Sequence, residues 1–222
     1  MPKNMLKDIV LRQKQEKERL FSLPYVERTK SAQARKWLNS GLIKIILGPR
    51  RAGKTVFYLM LLKDQPFMYF NFDDESLTNV SAIKHDELMK ELHVVYGETK
   101  TILFDEIQNL PNWELFVNRL HRQRYNLILT GSTAKLLSHE LATALTGRHI
   151  PIEIMPFNFK EFLKANNYQI DSEYQTLPEE RAKLFQLLER YLINGSYPEI
   201  VVKRFEPKEY LAVLFDSIIL KM

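Results

Sequence analysis

Gly48-Pro49-Arg50-Arg51-Ala52-Gly53-Lys54-Thr55 follows the block Leu42-Ile43-Lys44-Ile45-Ile46-Leu47. The eight residues fit G-x-x-x-x-G-K-[ST] at every fixed position, and they stand after a strand-like run, where that motif has to stand to work. Two glycines let the backbone curl so that successive N–H groups point at phosphate oxygens. A helix starting near Lys54 adds its dipole to the same anion site. Lys54 is expected to bridge β- and γ-phosphates, and Thr55 to offer its hydroxyl to Mg²⁺, a hard octahedral ion usually completed by waters and phosphate oxygens. Gly48 to Thr55, with Val56 after them, are the candidate contacts to a nucleotide. Arg50 and Arg51 occupy variable positions, where their charge either reinforces that contact or reaches a neighbour.

Downstream, Thr101-Ile102-Leu103-Phe104-Asp105-Glu106 is an apolar strand ending in two adjacent carboxylates, the Walker B form. Asp105 would hold a water on Mg²⁺, and Glu106 would orient and polarise the attacking water, because phosphoryl transfer depends on positioning and electrostatics. A third strand ends Thr130-Gly131-Ser132-Thr133, and in a nucleotide-binding sheet the tip of the neighbouring strand faces the γ-phosphate. Thr130 and Ser132 are either polar sensors there or the turn and N-cap of the helix carrying Leu136 and Leu137. Arg148, after Gly147, either stabilises transition-state charge, in cis or across an oligomer interface, or is a surface arginine. Asp73 and Asp74 fit a cap after a strand better than a magnesium site. The five histidines show no paired-ligand spacing, so Mg²⁺ is the expected metal and zinc is not.

Around these motifs, apolar blocks rich in β-branched and aromatic residues alternate with helical segments at Leu42 to Leu47, Phe67 to Phe72, Thr101 to Phe104, Asn126 to Thr130 and His149 to Ile154. Strands separated by helices imply a parallel α/β sheet. Trp113, Phe116, Val117 and Leu120 share one helix face and read as core. Three segments are expected: a helical stretch at 1–40, a phosphate-loop core at 41–162, and a helical subdomain at 163–222. Leu184, Leu187, Leu188, Tyr191 and Leu192 form an apolar stripe in the last. The stretch from Pro207 to Met222 is apolar enough to want a partner surface and reads as truncated.

Composition places few limits on this reading. The chain has 222 residues, 45% hydrophobic and 27% charged, with no cysteine. That is the balance of an ordinary globular protein, and it excludes disulfides and thiolate metal sites. Neither a secretion-signal core nor a run of membrane-spanning length is visible, so the expected location is cytoplasmic. Residues 1–40 hold ten Lys or Arg against four acids, a net +6 in a chain of +5, which leaves −1 for the rest. Such a basic segment either meets DNA, RNA, an anionic surface or an acidic partner, or is a solvated helix face.

Taken in order, Gly48 to Thr55, Phe104-Asp105-Glu106-Ile107-Gln108, Leu129-Thr130-Gly131-Ser132, Gly147-Arg148 and Pro156-Phe157-Asn158-Phe159-Lys160-Glu161-Phe162 resemble the prokaryotic AAA-superfamily-like ATPases related to archaeal ATPases. Gly195-Ser196-Tyr197-Pro198-Glu199 resembles the helical region that follows their ATPase core. The resemblance implies a P-loop NTPase fold with strand order 5-1-4-3-2, N-terminal helices and a helical lid. It implies ATP with Mg²⁺, Lys54 and Thr55 in the first motif, and Asp105 with Glu106 in the second. Relatives of this kind usually continue into a C-terminal domain, often nuclease-like, that this chain is expected to lack.

Competing functions separate on single features. A GTPase would carry N-K-x-D and a glycine three residues after Asp105, and neither is present. A kinase has no need of a water-polarising Glu106. A switch that holds ATP with little turnover and a nucleic-acid-associated motor both keep every motif, and only turnover with and without nucleic acid divides them.

Overall fold

The apolar blocks become a five-stranded sheet in the computed structural model, which describes residues 5–77, 83–131, 145, 147–170 and 177–219. The strands are β1 (Ile43–Leu47), β2 (Met68–Asn71), β3 (Thr101–Asp105), β4 (Asn126–Thr130) and β5 (His149–Glu153). All pairings are parallel and the order is β2-β3-β4-β1-β5, the expected 5-1-4-3-2 read from the other edge. Pro151 sits in β5, an edge strand, where a missing N–H is tolerated.

The chain divides into two compact units. The first comprises Met1–Leu23, Lys30–Gly48 and Lys54–Ile154 and contains the sheet. Side chains alternate across the pleat, so each face needs its own cover. Ile43, Ile45, Phe70, Ile102, Phe104 and Leu129 pack with helices α1 (Met5–Leu20), α4 (His85–Tyr96) and α5 (Trp113–Arg122). Ile46, Tyr69, Leu103 and Ile128 pack with α2 (Ser31–Leu38) and α3 (Lys54–Leu62). Trp113, Phe116, Val117 and Leu120 are buried on α5 as their spacing predicts.

The first forty residues do not stand apart. Leu6, Ile9 and Val10 of α1 are buried in the main core, and several basic side chains of the helix are used inside the fold. Arg12 donates to both carboxylate oxygens of Asp74 at 2.6 and 2.7 Å. Lys14 donates to the Val95 carbonyl at 3.2 Å. Lys17 lies over the Phe67 and Tyr96 rings at 4.6 and 4.9 Å, close enough for cation–π attraction.

The second unit comprises Pro24–Thr29, Pro49–Gly53 and Met155–Met222, so it begins earlier than the expected boundary at 162 and draws in two short upstream segments. Its helices are α6 (Phe159–Ala165), α7 (Pro178–Asn194), α8 (Pro198–Lys203) and α9 (Pro207–Ile219). Asn158 and Glu161 close a full capping box at the start of α6. Of the predicted stripe on α7, Leu184, Leu187, Leu188 and Tyr191 are half-buried, whereas Leu192 is 71% exposed. Tyr191 packs edge-on against Phe159 and Phe162.

One cation lies inside the sheet itself. Lys44 on β1 is wholly buried, and its ammonium donates to the Ser40 carbonyl at 3.3 Å and to Asn126 Oδ1. Burial pulls its pKa from 10.5 to about 8. Between those values the unfolded chain binds the proton more strongly than the folded one, so this group makes stability rise with pH across that window. Denaturant unfolding at pH 7.5 and pH 10 should therefore show wild-type stability increasing relative to Lys44→Met. A difference between the two proteins that does not change with pH contradicts this.

Candidate active site

Because every strand points the same way, the C-terminal tips of β1, β3 and β4 lie at one end of the sheet. Strand β1 leads into Gly48, β3 ends at Asp105 and β4 at Thr130. Asp105 is the centre of this end. Its Oδ2 accepts from Thr55 Oγ1 at 2.8 Å and from the Tyr69 hydroxyl at 3.2 Å, and its Oδ1 accepts from Thr130 Oγ1. Burial, followed by the neighbouring Asp105 carboxylate, pushes the Tyr69 phenol upward, so the hydroxyl stays protonated and remains a donor. Lys54, the first residue of α3, is buried and donates to the Gly48 carbonyl at 3.1 Å.

Glu106 has a left-handed backbone, φ 51° and ψ 45°. Its N–H donates to Thr130 Oγ1 at 3.2 Å, so one threonine hydroxyl ties both carboxylate residues of the β3 tip to β4. The Glu106 carboxylate accepts from Gln108 Nε2 at 2.5 Å. Tyr69 and Gln108 were not singled out by the sequence, although Gln108 lies inside the quoted motif. Ser132 lies outside the described residues. The Thr55 hydroxyl and the Asp105 carboxylate are hard oxygen donors, which suits Mg²⁺ supplemented by water and phosphate oxygens. Among the described residues there is no cluster of three or more His, Cys, Asp or Glu able to hold a metal unaided. Asp74 is held by Arg12 and Gln13 and accepts from the Ser76 N–H at 2.9 Å, which is the expected capping role.

The middle of the phosphate loop, Pro49–Gly53, belongs to the second unit. Ala52 is buried and its N–H donates to the Pro49 carbonyl at 3.3 Å. The Ala52 carbonyl accepts from Arg28 Nη1 at 3.0 Å. Arg51 has φ 61° and donates to Glu199 Oε2 at 2.7 Å. Burial works to raise the Glu199 pKa, but donation from Lys203, Tyr210 and Arg51 outweighs it and holds the carboxyl at about 2. Arg50 is exposed.

The chain is similar to known proteins in sequence and in fold. The AAA domain family matches residues 40–163. The chain belongs to that family. An uncharacterized protein of Methanocaldococcus jannaschii is 42% identical over 183 residues, covering 78% of this chain and 41% of the relative. An uncharacterized Haemophilus influenzae protein is 37% identical over 195 residues, covering 82% and 46%. The AAA domain chain therefore spans less than half the length of these relatives. Among solved structures, a Walker-type ATPase of Pyrococcus abyssi superposes with a TM-score of 0.52 at 17% identity, covering 82% of this chain and 69% of that one. Saccharomyces cerevisiae Hsp104, solved in complex with casein, superposes with a TM-score of 0.51 at 19% identity, covering 78% and 35%. The fold of this AAA domain is the one seen in that Walker-type ATPase.

Arg148 is not brought to the site. It precedes β5, its carbonyl accepts from the Ile43 N–H at 2.8 Å, and its guanidinium donates to Asn118 at 3.1 Å. Ile43 begins β1 and Leu47 ends it beside Gly48, so Arg148 lies a strand length, ~13 Å, from the loop end. The in-cis contact suggested by sequence order is therefore not made.

Gly48 has φ 148°, and a Cβ built on it would lie 2.0 Å from the Ile154 carbonyl oxygen. The three nearest atoms are all Ile154 backbone, which is not the end of a flexible side chain that could yield. Gly48→Ala should lower stability by about 1–3 kcal/mol, and the melting temperature by several degrees. An unchanged melting curve would show that the start of the loop has freedom the packing denies.

Proposed function

We propose that this AAA domain binds Mg-ATP and hydrolyses it to ADP and phosphate. The observation that carries the reading is the 2.8 Å hydrogen bond from Thr55 to Asp105, which joins the start of α3 to the acidic tip of β3. That is where a phosphate-bridging cation is held in P-loop enzymes. Thr55 and Asp105 are the residues that would hold Mg²⁺, directly or through water. Bound there, magnesium would neutralise charge on the β- and γ-phosphate oxygens.

The chain's own residues supply the rest. Lys54 exchanges its Gly48 carbonyl for phosphate oxygens. The amides of the loop from Gly48 to Thr55 receive the anion, with Val56 extending the helix start. Glu106 orients a water whose oxygen bonds to the γ-phosphorus as the bridging bond to ADP breaks. Thr130 fixes the Glu106 backbone next to Asp105, and the candidate role of Ser132 is to contact the γ-phosphate beside it. Lys54→Ala should abolish ATP binding in calorimetry, and unchanged affinity removes the loop from the proposal. Glu106→Gln should keep ATP affinity yet turn over at least about a hundredfold more slowly. Wild-type turnover in that variant removes Glu106 from catalysis.

One observation favours a second reading, an ATP-binding switch with little turnover. Glu106 Oε2 accepts from Gln108 Nε2, which ties the carboxylate to its own loop. Single-turnover hydrolysis separates the two, because a switch binds ATP and leaves it intact. Association with DNA or RNA rests on the charge of residues 1–40, of which Arg12, Lys14, Lys17 and Arg28 are engaged within the fold. Turnover measured with and without nucleic acid at two salt concentrations tests it. Any contribution of Arg148 has to come from another copy of the chain, so Arg148→Ala should lower turnover only where the chain forms homo-oligomers. A cytoplasmic setting accompanies the ATPase reading.

A further inference from the structure

We infer that Arg28 and Glu161 are positioning residues for the phosphate loop: they fix the direction of the peptide between Ala52 and Gly53 without touching the nucleotide. The inference rests on the ATP-binding reading above and gives a task to the Pro156–Phe162 motif, which that reading leaves unused.

Arg28 is 6% exposed, and its guanidinium is engaged on every side. Nε donates to Glu161 Oε2 at 3.0 Å, Nη1 to the Ala52 carbonyl at 3.0 Å, and Nη2 to the Met155 carbonyl. The plane lies over the Phe157 ring, 4.9 Å from its centroid. Glu161 is 2% exposed and is as fully used. Its Oε1 accepts from the Thr29 N–H at 2.6 Å and the Thr29 hydroxyl at 3.0 Å, and its Oε2 also accepts from the Asn158 N–H at 3.1 Å. An arginine this buried needs a paired counter-charge to stay there, and Glu161 supplies it.

The consequence for the loop follows from peptide geometry. A trans peptide is planar, so the carbonyl of Ala52 and the N–H of Gly53 point in opposite directions. Arg28 holds the carbonyl on its own side, which turns the Gly53 N–H the other way. Gly53 itself does little to fix the peptide. Gly53 has φ 86°, a conformation that only glycine adopts freely, and glycine accepts either orientation of the preceding peptide. A phosphate loop works only when successive N–H groups face the anion together. Arg28 also lies beneath Gly53, since a Cβ there would meet its Nη1 at 3.7 Å. The order of control runs from Glu161 through Arg28 and the Ala52 carbonyl to the Gly53 amide.

The test measures ATP and ADP affinity by calorimetry, together with kcat, KM and melting temperature. It compares wild type, Arg28→Met, Arg28→Lys, and the double variant Arg28→Met with Glu161→Gln. Loss of the carbonyl hold should weaken ATP and ADP alike by at least about tenfold, since loop amides cradle phosphates that both nucleotides carry. It should raise KM by a similar factor, with kcat within about threefold of wild type. Arg28→Lys keeps the charge without the fork and should recover only part of the affinity. The double variant removes the unpaired carboxylate, so its melting temperature should return towards wild type while its affinity stays low. Recovery of affinity together with stability overturns the inference and leaves the pair a structural element. Wild-type affinity in the double variant overturns it too, and that variant gives the reading if Arg28→Met fails to fold. Lys54→Ala in parallel keeps the two failures apart. If it binds ATP normally, the phosphate-loop reading itself has failed, and this inference fails with it.

Discussion

The site depends on one constraint, that all five strands run in the same direction. A parallel sheet delivers every strand tip to one end, so a loop after β1 and a carboxylate closing β3 share that end although β4 lies between them. Thr130, at the tip of β4, bridges the gap by bonding to both Asp105 and the Glu106 amide. Parallel sheets need both faces covered to bury their hydrophobic runs. The helices on either side meet that need, and α3 places Lys54 and Thr55 at its start, where its dipole favours an anion.

Much of this was legible in the sequence because it is local. Blocks such as Ile43–Leu47 and Asn126–Thr130 carry β-branched and aliphatic residues between clear turn signals, and the structure places these strands within a residue of the expected limits. The loop and the Asp105-Glu106 pair could be located because their spacing is a chemical requirement. For Arg148 the sequence left several readings open, because closeness to a strand in sequence does not say which end of that strand matters. The Gly147-Arg148 step enters β5, whereas the site is built where strands finish.

What stayed hidden is long-range and electrostatic. Arg28 and Glu161 meet across 133 positions of sequence, and no periodicity announces a pairing at that distance. The Pro156–Phe162 motif stood in the sequence only as part of a resemblance, and nothing in it showed that Glu161 would both close a capping box and carry a buried guanidinium. Lys44 breaks an otherwise apolar strand, and the sequence offers no sign that the break is buried rather than exposed. The basic character of residues 1–40 was likewise read as a surface property, whereas Leu6, Ile9 and Val10 hold α1 in the core and Lys17 spends its charge on aromatic rings.

The pairing of β1 has a consequence for how the chain reaches this state. Strands β2, β3 and β4 each pair with a neighbour in sequence, but among the described residues β1 pairs with β4 and β5 alone, so Lys44 has to wait for Ile128 and Ile150. Such non-local closure is entropically slow. During synthesis β1 is the first strand to leave the ribosome, and its partners β4 and β5 are the last two. Residues 42–47, which lead into Gly48, are therefore an apolar segment without its ladder until β4 has been made.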